Sequence, residues 1–292
     1  MDIFLQIIFS GITVGSMYAV GAIALSLLWG TMGMLNLAHA SFIALGGYIS
    51  YWCMSILGGH WIFVLPLAFI VGILGGYIFY HLVVRHIYAK ENFEVNIIIA
   101  SVAVAALVEN LLLNLVEGEA KRQPFLIPKG LHFGDVVLPY QTILTVVIAI
   151  ILMTIVALIL NKTNLGRVIR AVSQNPQASK LMGINVKKSF AQAMMLYGSV
   201  AAISGVLVTG QTQLFPEVGY DTMLKALVIL IIAGLGNIRA GVFMAFVLGM
   251  FEMAVQYLIG ARYGFPAMLS VVIIVLLFRP NGLFGKEVIT RV

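Results

Sequence analysis

Between Asp2 and His39 no residue carries charge near neutral pH, and that stretch alone decides what solvent this chain folds in. It exceeds the roughly 20 apolar residues that carry a helix across about 30 Å of hydrocarbon, so it predicts more than one crossing. Gly30, Gly33 and Asn36 interrupt it, dividing it into a span near 4–28 and a second near 37–57. Further charge-poor runs predict spans near 61–83, 95–116, 141–160, 189–211, 223–236, 241–260 and 265–279. The seventh is short and the 30–36 break is apolar, so eight or ten crossings fit the pattern as well as nine. The expected fold is an all-α integral membrane protein, a polytopic bundle of about nine transmembrane helices with broken helices. Residues 1–292 form one membrane domain.

Composition agrees. Hydrophobic residues make up 61% of the 292 and charged residues only 10%, against about 25% charged in a soluble domain. Mean hydropathy is +1.06. The 29 glycines suit helices that approach closely where lipid supplies no hydrophobic drive. The net charge of +6 is read as basic cytoplasmic loops rather than as a nucleic-acid surface. Cys53 stands alone, so no intrachain disulfide can form. Asp2 in place of a basic start, followed by a long apolar run, predicts a retained first span rather than a cleaved signal.

Orientation rests on 161–188, which holds Lys162, Arg167, Arg170, Lys180, Lys187 and Lys188 and no acidic residue. Such a loop belongs in the cytoplasm. Alternation then puts Arg85–Glu94 and the C-terminus inside, and the N-terminus and the mixed-charge 117–140 loop outside. The same loop has internal pattern. Leu165, Val168, Ile169 and Val172 fall on one helical face, with Arg167 and Arg170 off it. Asn175-Pro176 reads as an N-cap followed by Pro at the first helical position. Gly183 suits the left-handed position that ends a helix. A helix, a sharp break and a second short helix are expected, and the pattern alone allows either a docking element or a helix lying on anionic lipid.

Several strings together resemble a known family. Gln177-Ala-Ser-Lys-Leu-Met-Gly183 looks like the E-A-A-x-x-x-G loop by which ABC-importer permeases engage their ATPases, with Gln177 for Glu and Ser179 for Ala. The I-x-L-P that follows it elsewhere is missing, as in the degenerate version of the branched-chain amino acid permeases. The strings 164–184, Leu35–Tyr48, Ile232–Gly241 and Arg279–Gly285 are similar to that family in order and spacing, and most like its LivH branch. The resemblance implies half of an ABC-importer pore for Leu, Ile or Val in the bacterial inner membrane, with no catalysis, cofactor or metal of its own. It implies as partners a second, LivM-like permease, two ABC ATPases and a periplasmic binding protein. The coupling residues would be Arg167, Arg170, Pro176, Gln177, Ala178, Ser179, Leu181, Met182 and Gly183.

Pathway candidates follow from a weak internal echo. Gly30–Asn36 and Gly234–Gly241 are both Gly-rich breaks followed by small-residue helices, and paired breaks point to a pathway near the membrane midplane. Asn36, His39, Gly234, Gly236 and Asn237 are therefore candidates, with helix-end hydrogen bonding the plainer role for His39. Glu109 with Asn110 and Asn114, and Glu252, are polar residues inside spans. The first three are read as interhelical bonding at a subunit interface, Glu252 has no partner identifiable from sequence, and Arg239 is expected to meet backbone carbonyls. A urea or short-amide permease of the same family is the alternative reading. A proton-coupled transporter cycling Glu109 and Glu252 is a weaker one. No zinc-protease, nucleophile-elbow or phosphate-loop motif points to an enzyme or an ATPase.

Overall fold

The computed structural model describes residues 2–56, 61–88, 90–116, 118–123, 130–133 and 136–285. Its helices are α1 (Asp2–Met32), α2 (His39–Ile56), α3 (Val64–Phe79), α4 (Arg85–Ile87), α5 (Phe93–Val116), α6 (Tyr140–Lys162), α7 (Asn164–Gln174), α8 (Pro176–Leu181), α9 (Val186–Thr209), α10 (Val218–Ala233), α11 (Ile238–Leu258) and α12 (Gly264–Phe278). A wide π-helical turn, Tyr80–Val84, joins α3 to α4. Each of the nine segments expected to span falls on a long helix. Among the described residues, seven continuous helical stretches are long and apolar enough to cross a membrane, α3 counted through the π-helical turn into α4 and α12 together with the 3-10 turn before it. The other two, α2 and α10, have 18 and 16 residues.

Burial ranks the helices. In α9, 83% of the most apolar 18-residue window is buried, against 17% in α6 and in α12. α9 is thus the central post, and small residues let its neighbours close on it. A Cβ added at Gly205 would collide with the Ile43 carbonyl of α2, and one at Gly198 with the Gly72 carbonyl of α3. No larger residue fits at either place.

The chain repeats an order of elements. A Gly break separates α1 from α2, and another separates α10 from α11. In each case a 3-10 turn follows the second helix (Trp61–Phe63 and Ala261–Tyr263) and leads into a helix with proline third, Pro66 in α3 and Pro266 in α12. Proline is tolerated there because first-turn N–H groups have no helical partner. The two sets of three helices pack reciprocally. α1 lies on α11, with Gly11 against Met250 and Gly15 against Phe246, while α2 meets α10 where Gly219 abuts the Ala40 carbonyl. The echo between the two Gly breaks therefore extends over three helices on each side.

The loop expected between α5 and α6 also holds two short strands, β1 (Gly130–Phe133) and β2 (Val136–Pro139), antiparallel with Gly130 opposite Pro139. The reading of helices alone did not include this hairpin. Nearby, Lys121 and Leu214 exchange two backbone hydrogen bonds of 2.8 Å. Gln123 donates to Ser50 of α2 and to Thr209 of α9, which pins this loop onto the bundle. The Lys121 ammonium, 2.6 Å from Glu119, holds that exposed carboxyl below its usual range.

Candidate functional site

The α7–α8 corner is built by local chemistry. Thr163 caps α7, accepting from the Gly166 N–H at 3.2 Å. Gly166, Ile169 and Val172 are buried, Leu165 and Val168 half-buried, and Arg167 exposed, as the amphipathic pattern predicts. Gly166 sits so close to the last carbonyls of α6 that a Cβ would strike them. Arg170 is also solvent-facing overall, but its guanidinium donates to the Leu160 carbonyl and satisfies the end of α6.

Asn175 then stops one helix and starts the next. Its side chain accepts from the Ala178 N–H at 2.9 Å, and Pro176 opens α8. At the other end Gly183 has φ +82°, the Ile184 N–H donates to the Ser179 carbonyl at 3.0 Å, and the Gly183 N–H to Lys180 at 3.1 Å. That pair of bonds is a Schellman ending, and it requires the left-handed conformation that glycine adopts without cost. Ser179 is buried, while Gln177, Ala178 and Gly183 are exposed. Leu181 and Met182 are 89% and 83% exposed. Two large apolar side chains therefore stand at the tip of a basic loop.

The Gly breaks meet one another. A Cβ on Gly236 would lie 3.3 Å from the Gly30 Cα. Gly234, at φ +93°, is pressed against Gly285, and the Leu283 N–H donates to the Ile232 carbonyl at 2.7 Å. Asn237 caps α11 through the Ala240 N–H (3.2 Å) and donates to the Phe284 carbonyl (3.3 Å). The C-terminal loop thus closes over the second break. The Arg239 side chain is exposed and makes no hydrogen bond among the described residues, which corrects the expectation that it serves the freed carbonyls. The C-terminal loop and Asn237 satisfy them instead.

Asn36 and His39 lie inside the subunit, both essentially without solvent exposure. Asn36 accepts from the Ala38 N–H (3.0 Å), which turns the chain just ahead of α2, and donates to the Tyr197 hydroxyl (3.2 Å). The same hydroxyl shares a hydrogen bond of 3.0 Å with His39 Nδ1, while His39 Nε2 is buried without a partner among the described residues. Tyr197 is halfway along α9, so α2 begins at the depth of the bundle's middle.

Sequence reasoning found Glu252 but not what holds it. It is 1% exposed and accepts from the Tyr18 hydroxyl (2.7 Å), Gln256 (3.1 Å) and the Lys225 ammonium (3.1 Å). Lys225 also pairs with Asp221 at 3.1 Å and faces the Tyr18 ring. Lys225 was visible as a cation inside an expected span, and that signal went unused. Glu109 takes a different setting. It is half-buried, forms no ion pair among the described residues, and meets Tyr220 of α10. Asn110 and Asn114 beside it are exposed and bond back to their own helix, at Ala106 and Asn110. No group of three metal-ligating side chains occurs among the described residues.

Against known proteins, residues 7–279 match the family described as branched-chain amino acid transport system / permease component. The chain belongs to that family. Among curated relatives of this permease-family chain is the high-affinity branched-chain amino acid transport system permease protein BraD of Pseudomonas aeruginosa. It is 28% identical over 99% of this chain and 98% of its own. LivH of Escherichia coli K12, named for the same kind of system, is 24% identical over the same shares. Among solved structures, PsaBC from Streptococcus pneumoniae in complex with Fab aligns over 97% of this chain and 93% of its own, with 16% identity and a TM-score of 0.48.

Proposed function

We propose that this chain is one half of the membrane pore of an ABC importer for branched-chain amino acids. The observation that carries the reading is family membership over nearly the whole chain, joined by relatives named for that transport. The importer reading implies ATPases and a binding protein as partners, and the second permease is a LivM-like subunit. The chain crosses the bacterial inner membrane nine times, N-terminus outside and C-terminus inside, with α2 and α10 as its two short crossings. The basic 161–188 loop supports that orientation.

In this reading α8 is the coupling helix. Its supports are the Asn175 and Gly183 caps, which set a short rigid element, and the exposed Leu181 and Met182, an apolar tip suited to a groove on an ATPase. The buried face of α7 and the Arg170 bond to Leu160 tie movement of that tip to α6. ATP binding and hydrolysis on the partner subunits then shift α6 and α9 and alternate access to the pore.

The substrate is tested on the whole importer. Calorimetry on its binding protein with Leu, Ile, Val and urea should give binding of the three amino acids, followed by ATP-dependent leucine uptake into proteoliposomes. Binding of urea alone would sink the amino-acid reading. Uptake by this chain alone under a proton gradient would sink the ABC reading.

A further inference from the structure

Beside Gln123, the residue that pins the α5–α6 loop to the bundle, α3, α6 and α9 surround a cavity of about 30 Å³, room for about two water molecules. Leu65, Leu144 and Val206 give it an apolar wall, and Gln123, Gln141 and Thr145 supply its polar atoms. Thr145 needs nothing more. Its hydroxyl donates to the Gln141 backbone carbonyl (2.9 Å) and accepts from Gln211 (3.2 Å). The two glutamines that line the cavity differ from it. Gln123 directs its Nε2 to the Gly47 carbonyl (3.4 Å), to Ser50 and to Thr209 (2.8 Å). A carbonyl can meet only the N–H side of an amide, so the Gly47 contact fixes which way Gln123 faces. Its Oε1 is left with no donor among the described residues. Gln141 lies in the first turn of α6 and is 9% exposed, and its Oε1 is buried with no partner among the described residues.

Two acceptors on one cavity lack the same thing, a donor. An amide oxygen shut away from every N–H and O–H is costly, most of all at membrane depth. An aliphatic occupant would leave both oxygens unmet. A cation would find no carboxylate to balance it, because no acidic side chain among the described residues lines the cavity. Water fits in size, is neutral, and carries two hydrogens for two oxygens.

We propose that this cavity is a water site, in which one water donates to Gln141 Oε1 and, directly or through a second water, to Gln123 Oε1. The site joins segments that are remote along the chain. Gln123 is seated on α2 and α9 through Ser50 and Thr209, while Gln141 opens α6, whose far end leads into α7. Beside the direct bond from Gln211 to Thr145, the water makes a second tie across this joint. A bond made through water follows a small shift of α6 by reorienting, where a direct one would break.

The test uses the intact membrane complex in lipid nanodiscs and two readings. Gln141→Met keeps the length of the side chain and removes the amide. In a dry cavity it deletes an orphaned acceptor, and the melting temperature holds or rises. With bridging water it takes away a partner and strands Gln123, and a fall of about 2–4 °C is expected. The second reading is an electron cryomicroscopy map fine enough to show ordered water. One or two peaks are expected about 2.7–3.2 Å from the amide oxygens of Gln141 and Gln123, and Gln141→Met should lose them. A melting temperature that rises or stays unchanged overturns the site. So does a map that shows waters elsewhere in the bundle and none between these two amides.

Discussion

At the scale of single residues, the most consequential side chain is Lys225, because it neutralises a carboxylate that is 1% exposed. Removing one partner of a buried pair leaves the other charge stranded, at a cost of about 3–5 kcal/mol. Lys225→Met should therefore lower the thermal stability of the purified protein sharply. Lys225→Met combined with Glu252→Gln should recover part of the loss, since the one carboxylate left unpaired, Asp221, is solvent-exposed and no buried charge is stranded. Melting curves for the two single variants and the double variant check this, and a double variant no more stable than Lys225→Met would refute it. Gly183 is a different kind of residue. Nothing lies within 4 Å of a Cβ there, so substitution meets space but an unfavourable φ. Gly183→Val should unwind the end of α8 at a local cost of about 1–2 kcal/mol, leaving insertion intact and reducing co-purification of the ATPases.

At the scale of elements, the α7–α8 corner was legible because its signals are local. Asn175, Pro176 and Gly183 act within four residues of themselves, and capping chemistry is readable along the chain. The span positions were legible for a similar reason, since charge avoidance in lipid leaves long marks. What could not be read was anything that joins distant segments. Tyr18 and Glu252 are 234 residues apart, and neither residue alone specifies its partner. The β1–β2 hairpin was missed because four-residue strands carry almost no periodicity. Two element-level outcomes follow. Leu181→Asp with Met182→Asp should abolish ATPase co-purification while the permease stays in the membrane fraction; retained co-purification would remove α8 as the docking element. Gly205→Val should drive α2 off α9 through the Ile43 carbonyl, seen as lost monodispersity on size-exclusion chromatography.

At the scale of the whole molecule, the reciprocal seating of α1 on α11 and α2 on α10 fixes which way the helices run relative to one another. Nine crossings with a cytoplasmic α7–α8 corner is checked by labelling. In a Cys53→Ser background, Ser173→Cys should react with an impermeant maleimide only from the cytoplasmic side. Labelling from outside would invert the orientation.

The same seating has a consequence for how the protein is made. The Tyr18–Glu252 bond cannot close until the second residue has left the ribosome, and synthesis at 5–20 residues per second makes that wait roughly 10–50 s. For that time the first helix to be translated sits in the bilayer without its chief neighbour, with Ser16, Tyr18 and Ser26 unsheltered. Nascent chains arrested before α11 should depend on a membrane insertase or chaperone holding α1, and should be degraded when it is withdrawn.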